Sequence, residues 1–406
     1  MNMISLNKKF FQFLHNEVDP RSGMRFHACI ITNDEDKEFI YKAKSADCYQ
    51  SLNLKIAIIK LSDEKVILAV KGEPTFGEIP NGLKLQRLDE SPGLITVLGS
   101  VNFFDIKNKE IIQDKNWTTI KASASGSKDN VSYVENSEIL EFVEDFSVYE
   151  IIESPFEFSN ETVDRFLLLL LIICNIGNPE KLKCKKELLN IVTTLDKFPY
   201  HLLHSSYISQ TWQYSYIDLY RCIELLYPIP KMLQLRESLN SRLESECLSH
   251  IRAIDFFDDV NRSTGWREIE QSGLESLVIG SDKQCIIKMF SILEGIKVVN
   301  IKDAEIIKEL AKSEVMRDGN FKAIFEQARD LLAKLSPAQM PLISDYKNKK
   351  CAKLIAKFLY SLRNELVHFR SHNSSYSESN IKAAFMVMII LINEVFHKHQ
   401  HEAYST

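Results

Sequence analysis

The sequence predicts an α+β chain: a β-rich domain over residues 1–155, a sandwich or barrel, followed by an all-helical bundle over residues 156–406. Three observations carry this. The first 155 residues hold short β-branched or alternating segments divided by turn formers, the mark of half-buried strands. Near Glu153-Ser154-Pro155 the pattern changes, and apolar residues then recur at three- and four-residue steps, as on helices with one buried face. The longest apolar runs, Phe166 to Cys174 and Ala383 to Ile392, are about half of the ~20 residues a bilayer span requires, so both read as helices buried within the protein, and no membrane partner is expected.

In chain order, the segment to Pro20 reads as a short helix with Phe10, Phe11, Phe13 and Leu14 as its apolar face. The expected strands are Phe26 to Ile31, Glu38 to Lys42, Leu54 to Leu61, Lys65 to Lys71, Leu83 to Leu88, Leu94 to Phe104 and Trp117 to Lys121. Asn33-Asp34, Ser62-Asp63, Gly72, Pro74, Asn81-Gly82 and Ser91-Pro92-Gly93 separate them, each suited to reversing the chain. Lys121 to Asn130, KASASGSKDN, has the composition of a mobile loop or equally of a recognition loop. Ser159-Asn160-Glu161 offers a helix start, and the expected helices are 161–176, 180–195, 206–227, 231–250, 302–316, 319–335, 347–370 and 380–399.

Eight cysteines are scattered singly, mostly among apolar neighbours, with no C-x-x-C pair, so they read as buried reduced thiols of a cytoplasmic protein, and no metal site is expected. The first residues, MNMISLNKKFFQF, lack a long apolar core followed by a small-residue cleavage site, so a secretory leader is not expected. A formal charge of -5 and a pI near 6.1 argue against a protein that coats nucleic acid over its whole surface. Any contact with RNA must be local. One stretch fits: residues 341–370 hold seven basic side chains (Lys347, Lys349, Lys350, Lys353, Lys357, Arg363, Arg370) against two acidic ones, Asp345 and Glu365. That stretch would draw a polyanion, with Lys349, Lys350, Lys353, Lys357 and Arg370 as RNA-contacting residues. The plain alternative is that these lysines form the wet face of a helix.

Chemistry concentrates in the same stretch. Leu354, Ile355, Phe358, Leu359, Leu362, Leu366 and Phe369 recur at helical spacing, which places Asn364, His368 and His372 four apart on one stripe, with Arg363 about 100° around from Asn364. A histidine with a pKa near 6.5 can take a proton from a ribose 2′-hydroxyl or return one to a leaving oxygen. An arginine fork can hold the phosphate and offset the charge of a pentacoordinate transition state. No metal or other cofactor is needed for that reaction. Arg363-Asn364-Glu365-Leu366-Val367-His368 resembles the R-x4-6-H motif, with a polar residue after the arginine, of HEPN domains, the helical ribonucleases common in bacterial toxin, antiphage and CRISPR-associated proteins. The resemblance implies a HEPN-like helical bundle and metal-independent RNA cleavage at a site made by two copies of the motif across a homodimer. Arg363 and His368 would then be catalytic and Asn364 would orient them, with the N-terminal domain binding a trigger or an inhibitor. The plain reading of the same turn is that Arg363 and His368 touch the helix's own C-terminal carbonyls.

Other features carry less. Tyr207 to Tyr227 is a wide aromatic stripe suited to a core or dimer helix, on which Arg221 and Glu224 could pair at i, i+3. Asp255, Asp258 and Asp259 invite a metal but read as an acidic solvated turn, and His15 and His27 read as core or surface groups. The trailing His397, His399 and His401 are assigned no function. The rival to the nuclease is a non-catalytic helical dimer that binds RNA or a partner protein.

Overall fold

The computed structural model describes residues 34–62, 65–105, 143–227, 229, 270–293, 340–368 and 376–404. These fall in two compact units: the residues up to Glu157 with Ile173–Ile176, and those from Phe158 to Ile172 and from Gly177 onward.

In the first unit, helix α1 (Asp34–Lys42) leads into strands β1 (Ser45–Ser51), β2 (Leu54–Lys60), β3 (Val66–Lys71) and β4 (Lys84–Leu88). Helix α2 (Pro92–Ser100) and strand β5 (Phe146–Glu153) follow. The five strands form one antiparallel sheet in the order β1-β2-β3-β5-β4. Alternate residues of the sheet, Ala46, Ala57, Ile59, Ile67, Ala69 and Val148, share one core with Ile40 of α1, with Ala43 just after it and with Leu94, Ile95, Val97 and Leu98 of α2. Both helices therefore lie on one face. Among the described residues the expected sandwich or barrel is instead a single open sheet with helical cover.

Two expected strands are helical. Glu38 to Lys42 belongs to α1, where Lys37 pairs with Asp34 at 2.9 Å and Lys42 with Glu38 at 2.7 Å, spacings that only a helix brings together. Leu94 to Phe104 begins inside α2, because Ser91 is an N-cap whose hydroxyl accepts from the Leu94 amide at 3.3 Å and Pro92 starts the first turn. A sequence that reads as a turn is thus a helix start. The β1–β2 hairpin turns through Leu52 at φ 53°, an unusual left-handed position for leucine.

The second unit starts with a 3-10 turn (Asn160–Thr162), where the Ser159 amide donates to the Thr162 hydroxyl at 2.8 Å. Helices α3 (Val163–Ile173), α4 (Pro179–Leu182), α5 (Lys185–Thr194), α6 (Tyr200–Ile208), α7 (Trp212–Glu224), α8 (Glu270–Gly280), α9 (Lys283–Leu293), α10 (Met340–His368) and α11 (Glu378–Tyr404) follow. The unit is helical as expected, but 206–227 is two helices, and α8 and α9 lie between 250 and 302, where no helix is expected. Residues Glu378–His399 of α11 have the length and composition of a membrane-crossing helix, yet 67% of the most apolar window is buried within the protein. It packs against α5, α7 and α9, which is how a core helix meets the same pattern. The expected helices 231–250, 302–316 and 319–335, the segment to Pro20, the strands Phe26 to Ile31 and Trp117 to Lys121, the 121–130 loop and the 255–259 turn lie outside the described residues.

Two buried cations hold helix ends in this unit. Arg165, 2% exposed, donates from Nε to the Val192 carbonyl at 2.7 Å near the end of α5 and lies 5.0 Å from the centre of the Tyr200 ring. Lys181, 1% exposed, donates to the carbonyls of Ser206 (2.7 Å), Tyr207 (3.0 Å) and Ser209 (2.7 Å) and to the Ser215 hydroxyl (2.8 Å). Positive charge is favoured at a helix C-terminus, where the last carbonyls lack partners within the helix. Lys181 therefore fixes the break between α6 and α7. Burial pulls its pKa down to about 8, while a cage made only of acceptors favours the charged form.

Replacing Lys181 by methionine leaves buried carbonyls without donors, so the variant should unfold more easily by about 3 kcal/mol in urea titrations. Lys183→Met, at an exposed position, should change stability by less than about 0.5 kcal/mol. Equal losses would remove the capping role.

Candidate active site

Three helices from distant parts of the chain meet at the predicted motif: α7, α8 and α10 pack against one another. Tyr216 of α7 donates to the Leu359 carbonyl at 2.6 Å, one turn before Arg363, and so ties α7 to α10. Gly273 lets α8 come close, since a Cβ there would sit 2.8 Å from Cβ of Tyr227 and 2.9 Å from its Cγ. A side chain at 273 would push the two apart.

Arg363 sits where the three helices meet. Its Nη2 donates to Glu224 Oε1 at 3.2 Å, at the end of α7, and to Glu270 Oε1 at 3.4 Å, at the start of α8. Its Nη1 donates to Asn364 Oδ1 at 3.2 Å, and the guanidinium lies 5.7 Å from the centre of the Tyr220 ring. The side chain is 18% exposed, so a path to solvent remains. Burial opposes its charge, but Glu270 and Glu224 outweigh it and raise its pKa further above its ordinary value. For Glu224, burial outweighs Arg363 and, with Glu270 adding its repulsion, lifts the carboxyl above its ordinary range. One guanidinium faces two carboxylates, and with both ionised the group carries a net negative charge. Beside it the Tyr220 and Tyr227 hydroxyls are buried with no hydrogen bond of good geometry to any described group, and burial raises both phenols.

Of the predicted residues, Arg363 and Asn364 are adjacent in space as well as in sequence, and His368 is the last residue of α10. On an ideal helix His368 lies about 7.5 Å further along the axis and about 140° around from Arg363. The structure describes the backbone of His368 and not its ring. Arg363 does not reach its helix's C-terminal carbonyls, as the plain reading of the motif holds, because two carboxylates from other helices are nearer partners. Arg221 does not pair with Glu224 but with Asp218 at 3.3 Å, leaving Glu224 to Arg363. Of the expected RNA-contacting lysines, Lys349 is exposed, Lys357 is half-buried, and Lys353 pairs with Glu275 of α8 at 3.1 Å. Part of the positive charge counted along 341–370 is thus offset by acids from elsewhere in the fold. The Lys350 side chain, Arg370 and His372 lie outside the description.

No family model matches the chain, and neither the curated proteins nor the solved structures give a match. Among the described residues, no group of three or more histidines, cysteines or acids is placed to hold a metal. His397 joins α11 to α5 instead, its Nε2 lying 2.9 Å from Asn190 Nδ2 and 3.0 Å from the Thr194 hydroxyl. Glu224, Glu270 and the two tyrosines were not predicted as site residues. Their pairings with Arg363 span 139 and 93 residues, and no local spacing signals such contacts.

A carboxyl whose pKa is raised on folding contributes stability that is complete below its unfolded value, about 4.3, and is lost as pH rises through its folded value. Arg363→Ala removes the cation that opposes this shift at Glu224. The variant should lose about 1 to 3 kcal/mol at pH 7.5 and less at pH 5, and adding Glu224→Gln should restore part of the loss. Denaturation at the two pH values measures this; equal losses would mean that Arg363 contributes packing and not charge.

Proposed function

We propose that this protein is a metal-independent RNA endonuclease that works as a homodimer, with Arg363, Asn364 and His368 as its catalytic residues. The observation that carries the reading is the partly exposed guanidinium of Arg363, hydrogen-bonded to Asn364 and set about one and a half turns before a histidine at the end of α10. Arg363 braces the scissile phosphate. His368 takes the proton of the 2′-hydroxyl, whose oxygen attacks phosphorus, or returns one to the 5′-oxygen as the P–O5′ bond breaks. The products are a 2′,3′-cyclic phosphate and a 5′-hydroxyl. By resemblance to HEPN ribonucleases, the setting is a bacterial toxin or phage-defence effector, with the sheet-bearing unit receiving a trigger or an inhibitor.

A second reading has its own observation. Two carboxylates already engage Arg363, as in a purely structural ion pair. On that reading the chain is a non-catalytic helical module that binds RNA or a protein partner. Incubating the purified protein with RNA in EDTA decides between them. The nuclease yields fragments ending in 2′,3′-cyclic phosphate, with rates reduced at least about 100-fold in Arg363→Ala and His368→Ala, the scale of general acid–base and electrostatic contributions. Cleavage that survives in both variants overturns the site. No cleavage of any RNA leaves the binding module.

A further inference from the structure

Helix α8 supplies a carboxylate to each of two cations on α10: Glu270 to Arg363 at 3.4 Å, and Glu275 to Lys353 at 3.1 Å. Arg363 and Lys353 are respectively the phosphate-bracing and an RNA-contacting residue of the proposed nuclease. They stand ten positions apart, about 15 Å along the helix. We propose that α8 is a built-in brake whose two glutamates occupy the places of RNA phosphates, so that RNA must displace them to reach α10. The inference rests on the nuclease reading for the identity of the competing anion.

The packing of α8 says what moves. Leu274, Leu277 and Val278 are at most 1% exposed, and Gly273 lies against Tyr227, so the helix body is held in the interior. The two glutamates are at its accessible edge, with side chains 42% and 24% exposed for Glu270 and Glu275. Release is therefore a rotation of side chains and not an undocking of the helix. Glu270 also has a favourable place to go. It lies in the first turn of α8, where the helix dipole stabilises a carboxylate without Arg363. Glu224 is the more closely held partner of Arg363, at 3.2 Å and 31% exposed, and stays as its anchor. An incoming phosphate then trades places with the more distant, more exposed carboxylate.

Binding of a fluorescein-labelled, 2′-O-methylated single-stranded RNA 20-mer, which lacks the attacking hydroxyl, tests the brake separately from cleavage. Glu270→Gln should tighten binding about two- to fivefold, the range for a part-exposed ion pair. The gain should vanish when Arg363→Ala is also present. Glu275→Gln, cycled with Lys353→Ala, reads the second contact in the same way. Unchanged or weaker binding in both glutamine variants overturns the brake, as does a gain that persists at full size without the paired cation, which would mark a general charge effect. If the gains appear as stated while an unmodified RNA 20-mer stays intact, the brake holds and the nuclease reading fails. If the unmodified RNA is cut in an Arg363-dependent way while neither glutamine variant binds tighter, the nuclease stands and the brake is wrong.

Discussion

A guanidinium held between two carboxylates from different helices is the constraint on which the candidate site depends. Arg363 joins the end of α7, the start of α8 and the last turns of α10. A cation withdrawn from water must be matched by acceptors, and where those are two ionised carboxylates an acid is left in excess. The excess falls on Glu224, whose carboxyl burial holds toward the neutral form. Lys181 is satisfied by helix-end carbonyls and a hydroxyl, and Arg165 by the Val192 carbonyl and one exposed carboxylate, Asp196, at 3.4 Å. Of these three cations, Arg363 is the one held by two carboxylates.

Much of the architecture was legible in the sequence. Strands β2, β3 and β4 carry β-branched or alternating residues between clear turns, and the apolar runs that form α3 and much of α11 read as buried helices. Other elements were hidden for identifiable reasons. The edge strand β1 reads SADCYQS, with little apolar alternation to announce it. Ser91-Pro92-Gly93 gave the same signal whether it turned the chain or capped a helix, and β-branched Ile95, Thr96 and Val97 tipped the reading toward a strand. The break between α6 and α7 depends on Lys181, which comes 25 or more residues earlier and has no local signature.

The candidate site divides along the same line. Its cationic half is local: Arg363, Asn364 and His368 fall within two helical turns, and their chemistry could be read from spacing. Its anionic half is tertiary. Glu224 follows an aromatic stripe that reads as core, and Glu270 stands in a stretch with no clear period, so neither announces a partner more than 90 residues away. Counting charge along the chain therefore overstated the basic character of α10, because Glu270 and Glu275 arrive from outside the counted window.

On the proposed reading, α10 bears the reactive groups and α8 neutralises Arg363 and Lys353 until RNA arrives. A crystal structure of the protein with a 2′-O-methylated oligoribonucleotide tests that claim most directly. The account predicts a phosphate oxygen within hydrogen-bond distance of the Arg363 guanidinium, Glu224 still in contact, and the Glu270 carboxylate turned away. RNA bound elsewhere, with Arg363 still clasped by both glutamates, would contradict it.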